Sequence, residues 1–152
     1  MIRLFLLSLF LISFFSNASD CYDRAGRDYQ IDPDLLRAIS FRESSFRQNV
    51  MNIQSRESYA IGYMQIHSQN LQHLSKFGIT ADQLYSDGCM NIYTGAYFLA
   101  LSFKRLGKGW DAVGAYNAGF AKNTKQQQRR TKYAKEVYGI YKSIKSNKSA
   151  SN

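Results

Sequence analysis

Acidic side chains are scarce in this chain. There are 11 of them against 20 lysines and arginines, and only Glu43, Glu57 and Glu136 are glutamates. Any chemistry that needs several carboxylates at one place has few to draw on. Cysteine is limited to Cys21 and Cys89, too few for a zinc site without clustered histidines. His67 and His73 have no such company and read as surface or structural residues, so neither a metal nor a cofactor is implied. Long apolar runs are missing apart from Leu4 to Phe15, about twelve residues, where a membrane span needs roughly 20. With Arg3 before it and Ser16-Asn17-Ala18 after it, this run has the form of a cleavable secretory signal over residues 1–18. Its removal would leave no stable membrane insertion; an uncleaved anchor is the other reading. There are no internal repeats, no interdomain linker and no sustained alternation of strand type.

Export to an oxidising compartment gives the cysteines a role. Cys21 and Cys89 can pair in only one way, and the bond would tie the start of the mature chain to a mid-chain helix. Two buried free thiols are the alternative. Loss of Arg3 with the signal leaves 19 basic against 11 acidic residues, which suits an anionic partner such as a wall polymer, a membrane surface or nucleic acid.

The pattern that remains is helical. In "QIDPDLL", Asp32 is placed as an N-cap, Pro33 at the first helical position and Asp34 in the first turn. Leu36 and Ile39 then fall on one face, and the next position in that rhythm is Glu43. Cys89, Ile92, Ala96, Leu99, Phe103 and Leu106 form a second stripe that Gly107 stops. Thr80 and Gln83 form a capping box for a short helix through Leu84. "WDAVGAY" is a short apolar helix, and a last amphipathic helix carries Ala134, Val137, Tyr141 and Ile144. The stretch from Arg47 to Ile66 reads as loop with a small hairpin, and that from Phe120 to Tyr133 as an exposed basic connection. The expected organisation is one ordered domain over 19–145 and a disordered tail over 146–152.

A glutamate on an apolar face loses solvation, so its proton is held to higher pH, as a general acid requires. The plainer reading of Glu43 is a carboxylate paired with Arg42, Arg47 or Arg56 at a helix end. Its company favours chemistry. "IGYMQI" (Ile61 to Ile66) joins a glycine to an amide that can hold sugar hydroxyls, and "AYNAG" (Ala115 to Gly119) offers a phenol, an amide and a glycine. With a secretory signal and eleven tyrosines, they describe a polar-aromatic cleft for carbohydrate.

In "ESSF", "GYMQI", "NIYTGAYFLA" and "AVGAYNAG", spanning Ile31 to Gly119, the chain resembles the soluble-lytic-transglycosylase, goose-type-lysozyme-like family, and among its members the small IagB/IpgF type that accompanies type III secretion. The resemblance implies a mainly α, lysozyme-like domain with a small loop or hairpin segment after the catalytic helix. It implies a periplasmic enzyme whose partners are peptidoglycan glycan strands and a type III secretion apparatus. It implies cleavage of the β-1,4 bond between N-acetylmuramic acid and N-acetylglucosamine. Within it Glu43 is the catalytic residue, while Met64, Gln65, Tyr116 and Asn117 bind substrate. Ser58 is the positioning serine, with Ser55 as the alternative. Two departures stand out: Tyr63 replaces the usual leucine, and the segment between Glu43 and Gln65 is longer than in many members.

Hydrolysing glycosidases ordinarily use two carboxylates. With only Glu43 in a matching motif, the expected route is intramolecular and ends in 1,6-anhydromuramic products. A hydrolytic muramidase using Glu57 or Asp111 and a non-cutting wall-binding module are the competing readings. Nucleic acid is not an expected partner; the basic run Lys122, Lys125, Arg129, Arg130 and Lys132 reads first as a solvated face, which could also attract stem-peptide carboxylates.

Overall fold

The structure, a computed structural model, describes residues 18–151. The expected signal segment lies outside the described residues except for its last residue. Among the described residues no helix is long and apolar enough to cross a membrane.

Helix α1 (Ala18–Tyr29) precedes α2 (Pro33–Ser44). A three-stranded antiparallel sheet follows, made of β1 (Met51–Ile53), β2 (Tyr59–Ile61) and β3 (Ile66–His67) in that spatial order, with Asn52 opposite Ala60 and Ile61 opposite Ile66. A 3-10 turn at Ser68–Asn70 leads into α3 (Leu71–Ser75), α4 (Ala81–Ser86), the long α5 (Gly88–Leu106), α6 (Trp110–Ala118) and α7 (Thr124–Ala150). The fold is mainly α with one small sheet after α2, as the sequence patterns imply.

The caps act where the sequence places them. Asp32 accepts from the Asp34 N–H at 2.9 Å with Pro33 in the first turn, and Thr80 and Gln83 close a reciprocal capping box on α4. Helix α5 buries Ile92, Ala96 and Leu99 fully and stops at Gly107 in the left-handed region, φ 84°. Leu106, the last residue of the expected stripe, is exposed in the final turn of the helix. Leu36 and Ile39 are buried completely, so the face that leads to Glu43 does enter the core.

One helix was not foreseen and two expectations are corrected. Helix α1 was not visible in the sequence, because "ASDCYDRAGRDY" holds its apolar stripe in small or amphipathic residues, Cys21, Tyr22 and Ala25, all buried. The basic stretch after Phe120 is not a connection throughout. Asn123 caps α7 by accepting the Gln126 N–H at 2.9 Å, and the helix runs from Thr124 with Tyr133, Ala134 and Val137 buried against α2 and α6. The tail expected to be disordered from Ser146 is helical to Ala150. Its reason is electrostatic: Lys145 reaches Asp32 at 2.8 Å and Asp34 at 3.1 Å, and Lys148 reaches Asp34 at 2.5 Å. Burial pushes the Asp34 carboxyl up, but its bonds to Lys148, Lys145 and Arg37 outweigh that and hold it below the usual range. Cys21 and Cys89 form a disulfide, Cα to Cα 5.5 Å, joining α1 to α5.

Candidate active site

Glu43 occupies the last turn of α2, where the helix is broken by two consecutive left-handed residues, Ser45 (φ 52°) and Phe46 (φ 59°). The neighbouring Ser44 is buried, and its Oγ lies 2.9 Å from the Tyr63 carbonyl oxygen, so the end of α2 is tied to the turn between β2 and β3. That turn needs its glycine. Gly62 has φ 74°, and a Cβ there would fall 2.2 Å from Asn91 Nδ2. Asn91, fully buried on α5, holds the turn from three sides: it accepts the Met64 N–H at 2.8 Å and donates to the Ile61 and Leu84 carbonyls at 2.9 Å each. Gly95, one helical turn on, leaves room for Met64, since a Cβ there would meet the Met64 side chain at 2.6 Å.

The result is a cleft of about 520 Å³. Glu43 and the AYNAG residues Tyr116 and Asn117 line one part of it, and Gln65, His67 and Gln54 another. Gln65 is itself in the left-handed region, φ 48°, with its amide anchored on the Gly62 carbonyl at 3.0 Å. Phe98 and Leu101 of α5 add an apolar wall. Among the described residues lining the cleft, Glu43 alone carries a carboxylate. Glu57 sits exposed in the β1–β2 turn, and Asp111 is engaged with Arg130 at 3.2 Å and Gln127 at 2.9 Å; neither borders this space.

Burial pushes the Glu43 carboxyl above its ordinary value. A hydrogen bond from Tyr133, the charge of Arg42 and a hydrogen bond from Asn117 pull the other way without cancelling it. Tyr133 Oη donates to Glu43 Oε1 at 2.5 Å, and burial keeps this phenol protonated far above neutral pH. Arg42, the neighbour that could have neutralised Glu43, is drawn to Glu136 at 2.5 Å. The carboxyl is thus held by neutral donors, Tyr133 and Asn117, without a tight ion pair, an arrangement that lets it hold a proton and also release it.

The structure brings together four of the expected site residues, Glu43, Gln65, Tyr116 and Asn117. Met64 does not face the cleft. It is fully buried beneath it, and its carbonyl accepts the Tyr116 hydroxyl at 2.7 Å, which sets the tyrosine's direction. Ser58 is absent from the lining too. Its Oγ is 3.2 Å from Gln54 Oε1 and 3.3 Å from His67 Nε2, so it braces two side chains that do line the cleft. Ser55 lies in the exposed β1–β2 turn and accepts the Ser58 N–H at 3.2 Å. Of the histidines, His67 caps the 3-10 turn by accepting the Gln69 N–H at 3.2 Å, and His73 meets Tyr97 Oη at 2.7 Å. Tyr133 was missed, although it lies one turn before Val137 on the stripe of the last helix.

Comparison with known proteins gives the family. Residues 20–138 match the profile of the transglycosylase SLT domain. The X polypeptide of Escherichia coli is 55% identical over 140 residues, 92% of this chain and 83% of the relative. Protein IpgF of Shigella flexneri is 37% identical over 123 residues, 81% of this chain and 80% of the relative. Invasion protein IagB of Salmonella typhimurium is 34% identical over 141 residues, 93% of this chain and 87% of the relative. Among solved structures, an inactive mutant of lytic transglycosylase Slt from Pseudomonas aeruginosa superimposes with a TM-score of 0.64 at 22% identity, over 80% of this chain and 23% of the larger one. The chain therefore belongs to the transglycosylase SLT domain family, the peptidoglycan lytic transglycosylases.

Proposed function

We propose that this enzyme cuts the β-1,4 bond between N-acetylmuramic acid and N-acetylglucosamine by an intramolecular route with Glu43 as its sole acid and base. The observation that carries the proposal is the single carboxylate in the cleft. Glu43, whose proton affinity is raised by burial, gives its proton to the glycosidic oxygen as the bond to the muramic anomeric carbon breaks. The carbonyl oxygen of the muramic 2-acetamido group stabilises the positive charge at that carbon. The ionised Glu43 then takes the proton of the C6 hydroxyl while that oxygen bonds to the anomeric carbon. The product carries a 1,6-anhydro ring, no water is consumed, and Glu43 is again protonated. Gln65, Tyr116 and Asn117 position the sugars, with Met64 and Ser58 supporting them from behind. The Tyr133 bond orients the carboxyl and stabilises its ionised form in the second half of the reaction.

The proposal extends to export by removal of residues 1–18, work in the periplasm, and local opening of the wall for a secretion apparatus. The last rests on the resemblance to the IagB/IpgF type. The clearest test is Glu43→Gln, which keeps shape and removes the proton. It should lower release of soluble fragments from wall sacculi by roughly 10²–10⁴-fold. Unchanged release would end the assignment. N-terminal sequencing of the periplasmic protein checks export, with Ser19 as the expected first residue.

A further inference from the structure

Helix α7 carries basic residues on two sides, and only one side is used by the fold. Arg130, on the buried side, donates to the carbonyls of Gly119 at 2.9 Å and Ala121 at 3.2 Å and pairs with Asp111. Lys145 and Lys148 are engaged with Asp32 and Asp34. Glu136, the helix's one acid, is taken by Arg42. On the outer side Lys125, Lys132 and Lys135 are exposed, as is Lys122 in the segment just before the helix, and among the described residues none of the four is in an ion pair. Like charges gathered this way weaken a helix, so stability of the fold does not account for them.

Lys122, Lys132 and Lys135 line one shallow groove. It shares Gln127, Thr131 and Lys135 with a second hollow bordered by Trp110 and Tyr138, whose rings stand 4.9 Å apart and are 38% and 44% exposed. Along the chain the groove adjoins the cleft: Asn117, Gly119 and Phe120 line the cleft, and Lys122 and Asn123, two to three residues on from Phe120, line the groove. Among the described residues lining the two hollows the one acid, Asp111, is already paired with Arg130.

We infer that this groove receives the peptide stems of the glycan strand being cut, the lysines meeting their free carboxylates and the Trp110–Tyr138 pair meeting their methyl groups. The inference rests on the peptidoglycan reading of the cleft. Exposed lysines bind carboxylates weakly one at a time. A stem is covalently attached to a sugar already held next door, so its effective concentration at the groove is high and weak contacts suffice. The groove makes stem-bearing wall a better substrate than bare glycan.

The test compares the unsubstituted protein with a Lys122→Gln, Lys132→Gln, Lys135→Gln variant on uncross-linked glycan strands carrying their stems and on the same strands stripped of them by an amidase, both immobilised on beads. Both retention on the beads and release of short fragments are measured. The unsubstituted protein should bind stem-bearing strands more tightly. That advantage should fade between about 0.1 M and about 1 M salt, as the screening length drops from about 10 to about 3 Å. The variant should lose about tenfold in binding to stem-bearing strands and nothing on stripped ones. Equal binding of the two proteins to stem-bearing strands, or an equal loss on both substrates, overturns the inference. If the unsubstituted protein binds with the predicted preference but cleaves neither substrate, it is the reading of the cleft that fails and the groove stands.

Discussion

Glu43 is a carboxyl whose surroundings disagree about its charge. Burial at the end of α2 raises its proton affinity, while Tyr133, Arg42 and Asn117 lower it, and burial wins. Because the folded value lies above the unfolded one, the stability that Glu43 contributes as a neutral acid is complete below the unfolded value. It is lost as pH rises through the folded value. Glu43→Gln is uncharged at every pH and escapes that loss. Its melting temperature relative to the unsubstituted protein should therefore be higher at about pH 8 than at about pH 4. A difference that stays flat over that range would mean the carboxyl is not held in the poorly solvated state assigned to it. A site can be active and locally destabilising at once, and Glu43→Gln separates the two by lowering rate while raising stability.

At the scale of elements, the cleft depends on how α5 grips the β2–β3 turn. Asn91 satisfies three backbone groups of β2, α4 and the turn from a fully buried position. Asn91→Ala would leave those groups buried without partners and should cost roughly 3 kcal/mol or more in a urea denaturation experiment. A change under 1 kcal/mol would show that water replaces the amide and that the turn does not depend on it. The residues that build this joint were visible in the sequence as the motifs "GYMQI" and "NIYTGAYFLA", but their division of labour was not. Spacing alone cannot tell that Met64 turns inward onto Gly95 while Gln65 turns out, because one positive φ at Gln65 decides it. Ser58 was unreadable for a similar reason: a strand register places it behind Gln54 and His67. Helices α2 and α5 were legible because large apolar residues mark one face and a cap or glycine marks an end. Helix α1 and the first two turns of α7 lack large apolar residues, and tertiary contacts hold them instead.

Across the whole molecule, the first and last helices of the described residues are fastened to the helices that form the site. The disulfide from Cys21 to Cys89 spans 68 residues of sequence and ties α1 to α5. In the loop-entropy account a closure of this size is worth about 4 kcal/mol. A Cys21→Ser, Cys89→Ser variant should lose about that much stability, read from its denaturation midpoint. A loss near zero would mean that packing of α1 alone suffices. At the other end, Lys145 and Lys148 clasp the first turn of α2, whose last turn carries Glu43. The same helix presents Lys125, Lys132 and Lys135 outward, so α7 supports the site on one side and carries the charge proposed to meet peptide stems on the other. The central claim, that one carboxyl and the substrate's own hydroxyl do the work of two carboxylates, is tested most directly by mass spectrometry of the fragments released from sacculi. The account predicts muropeptides lighter by one water than their reducing counterparts, ending in 1,6-anhydromuramic acid. Reducing ends would contradict it, because they would make water the nucleophile and require a second group in the cleft to activate it.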